Sequence, residues 1–457
     1  MLPGLPSQFW SKFVPRDHRK RSGPNWSESI VLMELSIDQP CSCPSCGNCI
    51  LSMQASRKKR KVLGLMMMIN FLIYILVEVT RSYGQGKSNI IERHLPTNNF
   101  WKKFQLSEAF WNREQQHLDH VHNPLIVSAL TTTNSTLQEV PQLSDWLNYT
   151  SRTDPCKADI GMTLQIKDYN SLPQRFKDFL LYMRCRSYRM LADAPAACSE
   201  PPFLLLAIKS MAPHFDRRQA IRQSWGRTGI LDNRRVVTIF LLGNTDASDH
   251  FPDLSAMVKH EAQLHGDILQ WDYRDTFFNL TLKEVLFLEW MGKHCSSAQY
   301  IFKGDDDVFV NTRHILKYLD KLSGTAARDL FIGDVITNAG PHRDKKLKYY
   351  IPESVFTGPY PPYAGGGGYL YSGNVGLRLR NVSRHISLYP IDDVYTGMCL
   401  KKLGLVPEKH KGFRTFNIEE KYRDSACAYQ SLMLVHPRSP QEMIQIWEWI
   451  SNPGLNC

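Results

Sequence analysis

The segment Tyr300-Ile301-Phe302-Lys303-Gly304-Asp305-Asp306-Asp307-Val308-Phe309-Val310 carries an apolar strand into three consecutive carboxylates and then resumes as apolar sequence. Three negative charges crowded at one strand end cost on the order of several kcal/mol in repulsion and desolvation unless a cation offsets them. Oxygen donors favour Mg²⁺ or Mn²⁺, which bind one or two carboxylates and complete their shell with phosphate oxygens and water. A solvated acidic turn is the alternative, and the hydrophobic flanks on both sides argue against it. A further ligand is needed, and His436 qualifies: it follows Leu432-Met433-Leu434-Val435, another buried-strand signature, and would present its imidazole at a sheet edge. Asp392 and Asp393 form a second acidic group, where one carboxylate suits a general base or, equally, the pair caps the helix suggested by Val394 to Leu403. The run Tyr363-Ala364-Gly365-Gly366-Gly367-Gly368-Tyr369-Leu370-Tyr371-Ser372-Gly373 lets backbone approach a ligand closely and offers tyrosines to stack on sugar rings. It lacks the Gly-Lys-Ser/Thr ending of a P-loop, and no G-x-G-x-x-G opens a helix after the first strand, which disfavours nucleotide-triphosphate hydrolysis and Rossmann-type redox chemistry.

The elements that must position these residues read as an α/β fold. Phe203 to Ile208 is continuously apolar, as a strand buried on both faces requires. Asp216 to Trp225 then reads as a helix, Val236 to Leu242 as a second buried strand and Leu282 to Gly292 as another helix, with Phe176 to Tyr182 a short helix leading in. Such alternation implies a sheet with helices on both sides, whose ligands sit beyond the carboxyl ends of the strands. No internal repeat is present.

The chain has 457 residues, 43% hydrophobic and 22% charged, with a formal net charge of +11. No arginine-rich stripe with interleaved aromatics accompanies that charge, so nucleic acid is not an expected partner. A hydrophobic run from Val62 to Val77 is broken only by Gly64 and Asn70 and extends to Thr80. As a helix, positions 62–80 span about 28 Å, enough for a thin bilayer. Arg57, Lys58, Lys59, Arg60 and Lys61 precede it and Arg81 alone follows closely, which places the N-terminus in the cytosol as a type II signal anchor. Sequons at Asn134, Asn148, Asn279 and Asn381 suit a lumenal C-terminal part, whereas Asn25 would lie on the cytosolic side. Seven cysteines follow the anchor, Cys156, Cys185, Cys198, Cys295, Cys399, Cys427 and Cys457, so at least one is free or intermolecular. Cys41, Cys43, Cys46 and Cys49 match no standard zinc spacing, and no metal is expected there. The expected organisation is a cytosolic tail at 1–61, of which 1–52 is a dispensable extension before Met53, an anchor at 62–80, a polar lumenal stem at 81–155 and a catalytic domain at 156–457.

Five motifs in order carry a resemblance. Arg218-x-x-Ile221-Arg222-x-Ser224-Trp225, Asn279-Leu280-Thr281-Leu282-Lys283, the Asp305–Asp307 triplet, the glycine run and Asp392-Asp393-Val394-Tyr395-x-Gly397 resemble the β-1,3-glycosyltransferases, most nearly those that extend polylactosamine with N-acetylglucosamine. The resemblance spans roughly Val62 to Cys457. It implies a GT-A-like, Rossmann-type mixed sheet and inverting transfer of GlcNAc from UDP-GlcNAc to the 3-hydroxyl of a terminal galactose. It implies Mn²⁺, or Mg²⁺, on Asp307 and His436; the UDP portion on Asp305 and Asp306; a uridine and diphosphate pocket from Lys209, Ser210, Arg218 and Arg222 with support from Lys283; Asp393 as base; and Asp392 positioning the acceptor. The implied setting is the Golgi membrane, with a nucleotide sugar and a glycan acceptor as partners and a homodimer or a hetero-oligomer with other Golgi glycosyltransferases as further candidates. A β-1,3-galactosyltransferase using UDP-Gal and a silent lumenal glycan-binding protein remain the alternatives.

Overall fold

The computed structural model describes residues 108–122, 156–245 and 252–457, together with Met68 and Leu72, both helical. The tail, all but those two positions of the anchor, and the sequons at Asn134 and Asn148 lie outside the described residues. Among the described residues no helix is long and apolar enough to cross a membrane.

The strands are β1 (Met190–Ala192), β2 (Leu204–Lys209), β3 (Gly229–Leu231), β4 (Arg234–Asn244), β5 (Ile268–Arg274), β6 (Tyr300–Asp305), β7 (Phe309–Val310), β8 (Phe331–Ile336), β9 (Tyr363–Ser372), β10 (Glu408–Lys409), β11 (Phe413–Arg414) and β12 (Leu434–Val435). The main helices are α1 (Phe110–Val121), α2 (Gln174–Tyr182), α3 (Phe215–Gln223), α4 (Ser255–His265), α5 (Leu280–His294), α6 (Thr312–Leu319), α7 (Gly373–Ser383), α8 (Asp392–Lys402) and α9 (Pro440–Ser451). The large sheet runs β1-β5-β4-β2-β6-β9-β8-β10, with β3 beside β4, and a small sheet runs β11-β12-β7. Strands β5, β4, β2 and β6 are parallel, and β9 enters antiparallel between β6 and β8. The sheet is therefore mixed, as expected.

Period-two alternation divides the core between the two faces of the sheet. Leu205 and Ala207 of β2 pack with α1, α2, α5, α7 and α8, while Leu204, Leu206 and Ile208 pack with α3, α4, α6 and α9. Burial on both faces is what makes β2 and β4 continuous apolar runs. Disulfides join Cys156 to Cys185, Cys198 to Cys295 and Cys427 to Cys457, leaving Cys399 free and buried. The odd count of the seven cysteines from Cys156 to Cys457 is resolved by that one thiol.

The structure departs from the sequence reading in three places. The glycine run is β9, a central strand, although its composition carries no strand signal. Two of its tyrosines are not a sugar-stacking surface: Tyr369 and Tyr371 are buried, because the strand's alternation turns both into the α5–α8 face, where Phe331 stacks on them, while Tyr363 is part-exposed. Part of the expected stem is helical as well. Residues 110–121 form α1, which hydrogen-bonds to the main body, so the packed unit starts well before Cys156.

Candidate active site

Parallel register builds the first half of the site. Lys209, the last residue of β2, lies directly beside Asp305, the last residue of β6. The Lys209 Nζ is 2.8 Å from Asp305 Oδ1 and 2.8 Å from Asp392 Oδ2, and it also donates to the Gly366 carbonyl at 3.3 Å. Although burial alone would strip its proton, the carboxylates of Asp305 and Asp392 outweigh that and hold the ammonium charged.

Antiparallel register builds the second half. Val435 of β12 pairs with Phe309 of β7, and one further step along that register sets His436 beside Val308, next to Asp307. The His436 Nε2 stands 3.6 Å from Asp307 Oδ1, while its Nδ1 donates to the Thr415 carbonyl at 2.8 Å. That tautomer leaves Nε2 with a lone pair facing the acids, as a metal ligand needs. Gly367 permits the approach, since a Cβ there would lie 3.2 Å from the His436 Cβ.

Asp305, Asp307 and His436 offer ligand atoms that all lie within 4.8 Å of one another. Asp307 Oδ1 is buried without a hydrogen-bond partner, an expensive arrangement for a carboxylate oxygen unless a cation takes it. Burial, then the charge of Asp305, raises the Asp307 carboxyl above its ordinary value against the pull of His436. The donor set of two carboxylates and one imidazole fits a divalent cation. Asp305 joins that set in the structure; the motif resemblance had placed it on the nucleotide.

Asp306 has a different environment. It is buried and accepts from Ser210 Oγ at 2.7 Å, His214 Nδ1 at 2.8 Å and Arg217 Nη1 at 2.8 Å. Burial would raise its carboxyl, but these hydrogen bonds and the charge of His214 bring it below the usual range. The same Arg217 nitrogen reaches Asp307 Oδ2 at 3.5 Å. Neither His214 nor Arg217 stood out in the sequence. Arg217 and Arg218 are adjacent on α3 and so point to different faces about 100° apart; nothing local tells which one meets the strand ends.

The other expected pocket residues face inward. Arg218 is fully buried on Glu261, with 2.6 and 3.1 Å bonds to the carbonyls of Met211 and Ala212. Arg222 pairs with Asp267 and Glu261, each at 2.7 Å. The Lys283 Nζ donates to the Ser210 carbonyl at 2.6 Å and to Asp275 at 2.8 Å. Arg218 and Lys283 brace the loop that follows β2, and Arg222 shares Glu261 with Arg218.

The acidic pair opens α8, whose N-cap is Ile391 without a side-chain bond. Asp392 is buried on Lys209, and that ion pair keeps its carboxyl below the ordinary value despite burial. Asp393 is half-buried; its Oδ1 accepts the Val394 N–H at 2.9 Å, and a Cβ on Gly366 would lie 3.4 Å from Oδ2. Burial, then the charge of Asp392, raises the Asp393 carboxyl to about 7. One carboxylate is thereby held ionised and its neighbour poised to take a proton near neutrality, the pattern of a tuned acid–base pair.

The galactosyltransferase family model matches residues 216–411, which include both acidic groups. The N-acetyllactosaminide β-1,3-N-acetylglucosaminyltransferase 2 of Homo sapiens is 57% identical over 405 residues, covering 89% of this chain and all of the relative. Its Mus musculus counterpart is 56% identical over 408 residues with the same coverage. The human N-acetyllactosaminide β-1,3-N-acetylglucosaminyltransferase 3 is 39% identical over 326 residues, covering 70% of this chain and 87% of that one. The chain belongs to the galactosyltransferase family and, within it, to the β-1,3-N-acetylglucosaminyltransferases.

Proposed function

We propose that the protein transfers GlcNAc from UDP-GlcNAc to the 3-hydroxyl of a terminal galactose in N-acetyllactosamine chains, with inversion, extending polylactosamine on glycoproteins or glycolipids. The observation that carries this reading is Asp393, a carboxyl raised to about 7 at the same sheet edge as the Asp305–Asp307–His436 triad. Its Oδ2 accepts the proton of the attacking hydroxyl, because Oδ1 is engaged by the Val394 N–H. Asp392, kept anionic by Lys209, supplies the neighbouring charge that strengthens that base. A single displacement needs one such carboxylate, consistent with an Asp392 committed to Lys209. Mn²⁺ or Mg²⁺ held by Asp305, Asp307 and His436 would offset charge on the departing diphosphate. Lys209 and Ser210 form the floor of the donor pocket, and Arg218 and Lys283 hold that floor from behind. The setting is the lumenal side of the Golgi membrane, with the apolar run 62–80 as a type II anchor; the basic cluster Arg57 to Lys61 supports that orientation.

Product analysis with the full chain tests the reading. With Mn²⁺ and a lactosamine acceptor, UDP-GlcNAc should yield a β-1,3-linked GlcNAc product. Preferential transfer from UDP-Gal would make the protein a galactosyltransferase, and transfer from neither donor would leave a glycan-binding protein.

A further inference from the structure

The loop between α7 and α8 carries the chain to Asp393, and it has no sheet ladder of its own. Its backbone groups must find other partners, since buried peptide groups are nearly always paired. Many of these partners come from α1, a helix outside the 216–411 segment matched by the family model. The Trp111 Nε1 donates to the carbonyls of both Ser387 and Leu388 at 3.1 Å. Gln115 donates to the His385 carbonyl at 3.0 Å and accepts the Ser387 N–H at 2.9 Å. Next along the chain, the Tyr389 ring meets Trp111 edge-on at 5.6 Å.

The N-terminal turn of α1 also grips a second loop. The N–H groups of Phe110 and Trp111, unpaired within their own helix, donate to the carbonyls of Ser354 and Val355 at 2.8 Å. Asn112 exchanges two hydrogen bonds with Thr357, at 2.9 and 3.0 Å. Tyr389 and Phe356 therefore close on Trp111 from both loops, with ring centroids 5.4 Å apart for Trp111 and Phe356 and 5.1 Å apart for Phe356 and Tyr389. A buried ion pair between Asp119 and Lys402 fixes the far end of α1 to the last turn of α8. The helix thus spans α8 from the loop before its first turn to its last.

We propose that α1, through Trp111 and Gln115, is a positioning element of the transferase: it sets the register of residues 385–389 and thereby the placement of Asp393 against the acceptor. The segment between membrane and catalytic domain is, on this view, part of the active-site support. The inference rests on the reading of Asp393 as the base. Misplacing a reacting group by about 1 Å can cost 10²-fold in rate, so the support has a kinetic signature distinct from loss of fold.

The test compares Trp111→Phe and Trp111→Ala with the full wild-type chain. Trp111→Phe keeps most of the ring volume and removes only the N–H shared by the two carbonyls. Its kcat should fall about tenfold with the KM for UDP-GlcNAc unchanged, and Trp111→Ala should fall about 10²-fold. Hydrogen exchange of amides 385–393 should quicken in both variants while that of β2 stays at the wild-type rate. A Trp111→Phe enzyme that melts earlier yet keeps wild-type kcat and wild-type protection at 385–393 would overturn the proposal. If wild type itself transfers no GlcNAc, the functional reading falls, while the exchange pattern still decides whether α1 orders the loop.

Discussion

Around the acidic triplet, partners converge from three directions: Lys209 on Asp305, Arg217 and His214 on Asp306, and Arg217 with the His436 imidazole on Asp307. At the acidic pair, Lys209 forms an ion pair with Asp392, and among the described residues no ion pair is formed by Asp393. The carboxyl of Asp306 is consequently depressed and that of Asp393 raised to about 7. Burial would raise both carboxyls, although Asp306 is the more deeply buried, so burial does not explain the opposite shifts. The count of compensating partners does: a carboxylate with several donors is fixed as an anion, and one beside another anion becomes a base. Asp307 stands between these cases, with one oxygen orphaned and able to take a cation.

The largest effect expected from breaking this contrast is at the uncompensated carboxylate. Asp393→Asn should lower kcat by about 10³-fold, within the range for loss of a general base, while UDP affinity measured by calorimetry stays near wild type. Turnover within tenfold of wild type would remove Asp393 from the chemistry. Next comes the orphaned oxygen. Asp307→Ala should weaken Mn²⁺-dependent UDP binding by about 10²-fold, with the metal-independent component unaltered; equal loss with and without Mn²⁺ would mean that Asp307 serves the fold instead. The compensated carboxylate should behave in a third way. Asp306→Asn keeps the shape but loses the charge that His214 and Arg217 share, so it should cost about 1–3 kcal/mol of stability with the donor KM raised by less than about threefold. A donor KM raised tenfold or more at unchanged stability would show that Asp306 touches the nucleotide after all.

The parts of this site written in the sequence are those where burial and charge conflict. Three aspartates between apolar strands, and an acidic pair after Tyr389-Pro390-Ile391, are visible because apolar context makes them costly. Strands β2 and β4 are visible for the complementary reason, burial on both faces. Strand β9 is not, because glycines bury no side chain; it becomes a strand only when β6 and β8 close on either side of it. Helix α1 is hidden differently. Its buried face includes Asn112, Gln115 and Asp119, polar residues satisfied by partners more than 200 positions away, so hydrophobic periodicity does not mark it. The partners of the acidic residues share this fate, since whether Arg217 or Arg218 meets the triplet depends on the rotation of α3 against the sheet.

The smallest expected effect is also the most direct measure of the difference between the two acidic groups. The Asp393 carboxyl moves from 3.8 to about 7 on folding, so between those values the folded protein holds a proton that the unfolded chain has released. Stability therefore falls as pH rises through that window, and the cost is complete above about pH 7. Below the window the carboxyl is protonated in both states and the cost vanishes. Asn has no proton to lose, so Asp393→Asn should melt close to wild type near pH 4 and progressively above it toward pH 8, by on the order of a few degrees in Tm. The same ionisation that costs stability enables the base, so wild-type kcat/KM should climb about tenfold per pH unit below about 7 and level off above it. Asp306→Asn should show the opposite trend in stability, its loss growing as pH rises through the ordinary carboxylate range, because the anion it removes is one the fold prefers. A melting profile in which Asp393→Asn is the less stable protein at pH 8 would mean that Asp393, like Asp306, has a cation holding it, and the contrast between the two groups would be lost.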